Sequence, residues 1–343
     1  MERFKLYVEE LYLLLNSITE DKLYFELPHF KLKLFSIDYL NGELLSMEAL
    51  ENLKSLEGMA KTLLGREICE EIPTLDAFRD SLLSSGVLTP PNLDALLSKI
   101  NIPRESIEEP EEVYLALDTN VFYNALLSNI SHLLKYKPRV VVSHCTLNEL
   151  THVFLEHLKP GEVSKLRKIL SIYGEQVYTR NTRAQKGRRA AAAIREYERV
   201  KTLYKVYETR GDECRGDKAI IEDFYRYSRK FRGKLLFLTF DNESRIYAYN
   251  KGIRNLYLET PPLEKLSNIP LHKLAELIYH LAVNFLTVKI TGDKSWVKLY
   301  SWWRGQKIEE ATGGVLLAFT PMASEVSGKL VKARKMRELV EFS

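Results

Sequence analysis

The chain has 343 residues, 45% of them apolar and 28% charged, with 16 Gly and 12 Pro; this builds two or three domains with full cores and excludes a largely disordered or fibrous protein. No apolar run approaches the ~18–20 residues of a membrane span, and Met1-Glu2-Arg3-Phe4-Lys5 leads into an amphipathic stretch with no signal-peptide core. Net charge is +4, but residues 1–112 hold 11 Lys/Arg against 22 Asp/Glu while the remainder holds 39 against 24, so an acidic body joins a basic part whose natural partner is a polyanion. From the start to about residue 100, apolar residues fall at helical spacing (Tyr7, Leu11, Leu14, Leu15; Leu45, Leu50, Leu53, Leu56), predicting an acidic all-α domain over 1–110. Pro103 to Glu112, with two prolines and five glutamates, has linker composition and marks a boundary.

Beyond it the pattern changes. Val113–Leu117 is a short apolar run ending at Asp118, as in a strand buried on both faces of a parallel sheet. Asn120 to Ile130 reads as a helix, Arg139–Ser143 as a second strand, and Thr146 to Leu158 as a helix stopped by Pro160-Gly161. Asp217–Arg229 reads as a helix, Lys234–Phe240 as a third strand ending at Asp241, and Asn255–Leu258 as a fourth. The alternation predicts an α/β, doubly wound parallel sheet over 111–262, carrying a basic helical insertion at about 160–212. From 263 to 343 a helix (Leu271–Asn284), three strand-like stretches and a basic helix (Lys329–Val340) predict a small α+β domain, a candidate for nucleic-acid binding.

In open α/β sheets ligands bind beyond the carboxyl ends of the strands, where strand order reverses. Asp118 and Asp241 stand at two such ends, Glu149 lies in the first turn after the second strand, and Asp217 lies where a later helix begins, after Gly211 and Gly216. Crowded carboxylates repel unless a cation holds them, and an all-oxygen set suits Mg²⁺ or Mn²⁺. Taken singly, each acid also reads as a helix cap or turn former.

These residues carry a resemblance. Leu117-Asp118-Thr119-Asn120-Val121-Phe122, then Ser143-x-x-Thr146-Leu147-x-Glu149-Leu150, then Asp217-x-Ala219-Ile220-Ile221, then Leu238-Thr239-Phe240-Asp241 resemble the four motifs of PIN-domain nucleases, over about residues 113–260. The third is looser, because Asp212 precedes Asp217; Asp217 is preferred because an apolar helix follows it directly. The resemblance implies a metal-dependent phosphodiesterase, usually acting on RNA, in which Asp118, Glu149, Asp217 and Asp241 hold one or two Mg²⁺ or Mn²⁺ ions. A metal that lowers the pKa of bound water needs no His or Ser nucleophile beside it. Asn120 and Thr239 would orient a ligand or water, or serve simply as a helix cap and a strand residue.

The chain departs from small members of that family in its flanking domains and in the 67 residues between Glu149 and Asp217. Residues 180–210 carry ten Lys/Arg, among them Arg183, Lys186, Arg188, Arg189 and Arg195, interleaved with Tyr197, Tyr204 and Tyr207. They read either as a phosphate-binding and base-stacking arm or as a solvated helix whose tyrosines pack inward. Trp296, Trp302 and Trp303 read as stacking residues or as core. Zinc is disfavoured: His144-Cys145, His152 and His157 lack ligand spacing and no cysteine pair completes a set. Cys69, Cys145 and Cys214, odd in number and far apart, argue against disulfides and for a cytoplasmic setting.

The expected function is a Mg²⁺- or Mn²⁺-dependent ribonuclease, endonucleolytic, acting on single-stranded or structured RNA. The alternatives are a catalytically inactive RNA-binding protein in a processing complex and a structure-specific DNA nuclease. No membrane partner is expected, oligomerisation stays open, and the acidic N-terminal part is a candidate surface for a protein partner.

Overall fold

The computed structural model describes residues 3–18, 21–65, 70–101, 113–170, 172–180, 183–210, 214, 218–229, 234–293, 295–301, 303, 313–321 and 323–341. In chain order the elements begin with β1 (Arg3–Tyr7), α1 (Leu11–Ile18), β2 (Lys22–Leu27), β3 (Leu32–Asp38), β4 (Leu44–Met47), α2 (Ala49–Leu64), α3 (Leu75–Ser84) and α4 (Leu93–Ile100). The middle holds β5 (Val113–Leu117), α5 (Thr119–Tyr123), α6 (Leu126–Ile130), β6 (Arg139–Val142), α7 (His144–Phe154), α8 (Pro160–Leu166), α9 (Ile172–Arg180), α10 (Gln185–Leu203) and β7 (Val206–Glu208). Then follow α11 (Lys218–Arg229), β8 (Lys234–Thr239), α12 (Asn242–Asn250) and β9 (Asn255–Tyr257). The chain closes with α13 (Leu271–Phe285), β10 (Thr287–Thr291), β11 (Trp296–Ser301), β12 (Val315–Phe319) and α14 (Ala323–Glu341). Two compact units result: Met1–Leu82 with Glu156–Arg188 and Lys265–Ser343, and Leu83–Leu155 with Arg189–Glu264.

The first unit is built on a seven-stranded antiparallel sheet, in the order β1-β12-β11-β10-β2-β3-β4. This corrects the expectation of an all-α N-terminal domain and a separate C-terminal α+β domain. Four strands lie in the first 50 residues, and the two chain ends share one sheet: Leu6 on β1 faces Leu316 on β12, and Phe25 on β2 faces Ile290 on β10. The alternation that drives β2 is visible in its burial, with Leu23, Phe25 and Leu27 inward and Lys22 and Tyr24 outward. Helix α13 packs against β10 and β11 and is buried on nearly every face from Leu274 to Phe285, the mark of a helix inside a core. Between β3 and β4 the chain turns at Gly42, whose φ is +78° and whose missing Cβ would meet the Ile269 carbonyl oxygen at 2.4 Å. Only glycine fits there.

The second unit carries a five-stranded parallel sheet, ordered β7-β6-β5-β8-β9. Its apolar runs are buried on both faces, as parallel strands covered by helices require. One side of the core gathers Tyr114, Ala116, Val141, Ile220, Phe224, Phe237 and Ala248. The expected helix from Asn120 to Ile130 is two short ones, α5 and α6, broken at Ala125, which sits at φ +45°. Strand order reverses beside β5: the chain adds β6 and β7 on one side, then β8 and β9 on the other. No helix among the described residues is long and apolar enough to cross a membrane.

Candidate functional site

Three of the parallel strands, β5, β6 and β8, lead within two residues to a polar side chain that starts a helix, whose first N–H groups lack partners. At the end of β5 Asp118 caps α5, its Oδ1 accepting from the Thr119 amide at 2.8 Å. At the end of β6 Ser143 caps α7, accepting from the Cys145 amide at 3.1 Å. After β8, Asp241 caps α12, accepting from the Glu243 and Ser244 amides at 3.0 Å each and from Ser244 Oγ at 2.7 Å.

The reversal of strand order brings the first and third of these ends together. Asp118 Oδ2 accepts from Thr239 Oγ1 at 2.5 Å and from Asn120 Nδ2 at 2.8 Å. The Asn120 amide is fixed from its other end, its Oδ1 accepting from the Phe240 amide at 3.0 Å. Thr239 Oγ1 in turn accepts from the Asp241 amide at 2.9 Å. Thr119, one residue past Asp118, donates its hydroxyl to Glu149 Oε2 at 2.9 Å. Asp118, Asn120, Thr239 and Asp241 therefore form one hydrogen-bonded network, with Glu149 tied to it through Thr119.

Electrostatics within the network are asymmetric. Asp118 is 7% exposed, and burial, reinforced by the charges of Glu149 and Asp241, lifts its pKa to about 6 despite the hydrogen bonds from Thr239 and Thr119. For Asp241, burial pushes upward, but the hydrogen bonds from Ser244 and Glu243 outweigh it and hold the carboxyl below its usual range. Among the described residues no cation pairs with Asp118 or Asp241. A buried carboxylate kept charged beside two others is what a hard divalent ion relieves, and the donors are all oxygen. The ligand oxygens of Asp118, Glu149 and Asp241 do not all approach within 4.8 Å of one another. Oxygens bound directly to one Mg²⁺ lie within about 4.2 Å of one another, so in this arrangement the three carboxylates do not all share a single ion directly. Asp212 and Asp217 lie outside the described residues.

A second polar cluster lies at the ends of β6 and β7, and no sequence motif singles it out. Asp223, 2% exposed on α11, accepts from Ser143 Oγ at 2.7 Å and from Thr209 Oγ1, and it lies 3.1 Å from His144 Nδ1. Its one sequence signal is an acid on the face of α11 that carries Ile220 and Phe224.

The basic arm is corrected. Arg183, Arg188 and Arg195 are buried, at 5%, 0% and 8% exposure. Arg188 donates to the backbone carbonyls of Val283, Arg183 and Asn284 at 2.8–3.0 Å and lies 3.7 Å from Glu71. Its charge is used inside a core, where no phosphate reaches. Lys186 is exposed but ion-pairs with Glu156 at 2.5 Å, and Arg189 stacks over the Tyr123 ring. Tyr197 and Tyr204 are also buried, the inward-packing alternative. So is Trp303, while Trp302 lies outside the described residues. Cys145 and Cys214 form a disulfide across 69 positions, which corrects the expectation of unpaired cysteines.

No protein-family model matches the chain, and no curated protein matches it. Among solved structures, a domain of a functionally unknown protein from Methanocaldococcus jannaschii DSM 2661 is similar at 14% identity and a TM-score of 0.29, over 43% of this chain and 93% of that one. A likeness at that level carries no argument about this chain.

Proposed function

We propose that the Leu83–Leu155 and Arg189–Glu264 unit is a PIN-like, doubly wound nuclease core that cleaves RNA with Mg²⁺ or Mn²⁺. One observation carries the reading: the reversal of strand order beside β5 sets Asp118 against Thr239 and Asp241, with Glu149 held next to them, at the edge of a parallel sheet where ligands bind. Asp118, Glu149 and Asp241, with Asp217, would hold one or two ions between them, which when bound supply a water of lowered pKa and offset charge at the phosphate. The chain's own groups would do the positioning. Thr239 and Asn120 fix both the position and the hydrogen bonding of the Asp118 carboxylate, and Asn120 is itself clamped by the Phe240 amide. Thr119 aims Glu149, and Ser244 aims Asp241. The burial of Arg183, Arg188 and Arg195 takes these residues out of the RNA contact under the nuclease and the non-enzymatic reading alike.

The test is cleavage of end-labelled single-stranded and hairpin RNA, with DNA counterparts, in Mn²⁺, Mg²⁺ or EDTA, by wild type and Asp118→Asn. Metal-dependent RNA products that fall at least 100-fold in the variant are expected. Equal cleavage by the variant, cleavage in EDTA, or RNA that is bound but intact in every lane would overturn the reading. Cleavage of DNA alone would reassign the substrate.

A further inference from the structure

His144 and Cys145 open α7, and Cys214 reaches them from 69 positions further along the chain. The ligand atoms of the three residues all lie within 4.8 Å of one another. His144 Nε2 stands 3.2 Å from Cys214 Sγ and 3.5 Å from Cys145 Sγ. A tetrahedral ion about 2.3 Å from sulfur and about 2.0 Å from nitrogen separates the two donors by about 3.5 Å, so both distances suit one shared ion. The other ring nitrogen, Nδ1, faces the buried Asp223 carboxylate at 3.1 Å, and Ser143 and Thr209 hold that carboxylate in place. A proton on Nδ1 directed at Asp223 leaves the Nε2 lone pair free for an ion, the arrangement by which a carboxylate orients a metal-binding histidine. Cys145 Sγ, 3.9 Å from Nδ1 as well as 3.5 Å from Nε2, lies beside the ring and would shift when the S–S bond opens. Asn148 Nδ2 donates to Cys214 Sγ at 3.6 Å, as an N–H does toward a thiolate.

We propose that in the reduced chain Cys145, Cys214 and His144 form a site for a thiolate-seeking divalent cation, Zn²⁺ in the first place, with water in the fourth position and Asp223 orienting the histidine. The disulfide is the oxidised form of the same pair. A dithiol or phosphine reductant supplies two electrons, two protons from solvent complete the two thiols, and the arriving ion displaces both protons back to solvent. The site shares α7 with Glu149 but uses none of the acidic network, so it stands whether or not the nuclease reading does.

The experiment uses the full chain reduced with a phosphine, its free thiols counted before titration with Co²⁺ and then Zn²⁺. One equivalent of Co²⁺ should produce a thiolate-to-cobalt charge-transfer band, release two protons and be displaced by Zn²⁺. The unreduced chain, Cys214→Ser and His144→Ala should lose the band or at least 100-fold in affinity; Cys214 is exposed, so its substitution spares the core. Asp223→Asn should keep the band with affinity lowered roughly 10–100-fold. Asp118→Asn should leave it unchanged, because carboxylates give no such band. A reduced wild-type chain without the band, or a band of equal strength in Cys214→Ser, overturns the site.

Discussion

Asp118 concentrates the conflict between stability and chemistry. Its carboxyl is removed from water by β5 and α5 and sits beside two other acids, so burial lifts its pKa to about 6. The folded chain then holds more protons than the unfolded one between about pH 4 and 6. Stability therefore falls as pH rises through that window and stays lower above it. A rise of this size above the ordinary aspartate value costs about 3 kcal/mol at pH 7. In EDTA at pH 7, Asp118→Asn should accordingly be more stable than wild type by about 1–3 kcal/mol in urea unfolding, with the gap closing near pH 4 and shrinking in saturating Mg²⁺. A variant less stable than wild type at pH 7 would show that the hydrogen bonds from Thr239 and Asn120 matter more than the buried charge.

At the scale of elements, the helix starts do two jobs. The strand-to-helix turns after β5, β6 and β8 all need an acceptor for unpaired amides, and Asp118, Ser143 and Asp241 provide it. The capping role and the proposed ion-holding role thus coincide at Asp241, and they separate by substitution. Asp241→Asn keeps one of the two acceptor oxygens and so a partner for one of the Glu243 and Ser244 amides, and stability should change by less than about 1 kcal/mol, whereas Asp241→Ala keeps neither and should cost about 1–2 kcal/mol in denaturant unfolding. Metal-dependent cleavage should fall in both. Full activity in Asp241→Asn would leave that residue a cap and nothing more. Most of this was legible in the sequence: an acid closing an apolar run announces both the strand's end and its exposed edge. Thr119 and Asp223 were not, because a threonine or an acid on a helix face carries no mark of what a distant strand will bring to it. The same holds for the Cys145–Cys214 pair, whose members are 69 positions apart and match no ligand spacing.

At the scale of the molecule, the charged arm and the chain ends tell the same story. Ten cations in the 31 residues 180–210 read as a phosphate-binding surface, yet Arg188 serves as an interior brace for the carbonyls that end α13 and as the neighbour of Glu71, whose pKa burial raises. Arg188→Ala should cost about 3 kcal/mol, measured by urea unfolding, because it leaves the buried Glu71 without its cation and the Val283 and Arg183 carbonyls without the guanidinium, while Gln185 still donates to Glu71 and Asn284. A cost below about 1 kcal/mol would return Arg188 to the surface. The shared antiparallel sheet makes a further claim. A chain starting at residue 111 lacks β1 and β2, so β12 and β10 each lose one partner and keep only β11. Limited proteolysis within 265–343 should then run at least tenfold faster than in the intact chain, and equal protection would mean that the C-terminal strands fold without the N-terminal ones.

Local pattern was enough for four of the five parallel strands, since a short apolar run is read within five or six residues, whereas β7 (Val206–Glu208) falls inside the stretch read as a basic helical insertion. The helical spacing read at Leu50, Leu53 and Leu56 falls on α2 and the stretch Leu271–Asn284 on α13, while Leu45 of the same set lies on β4. The sheet joining the chain ends, the inward fate of Arg188 and the meeting of His144 with two cysteines rest on pairings across some 70 to more than 300 positions. No local periodicity encodes these. Burial of a strand face, a guanidinium or a thiol is decided by which distant segment covers it, and only the folded chain supplies that segment.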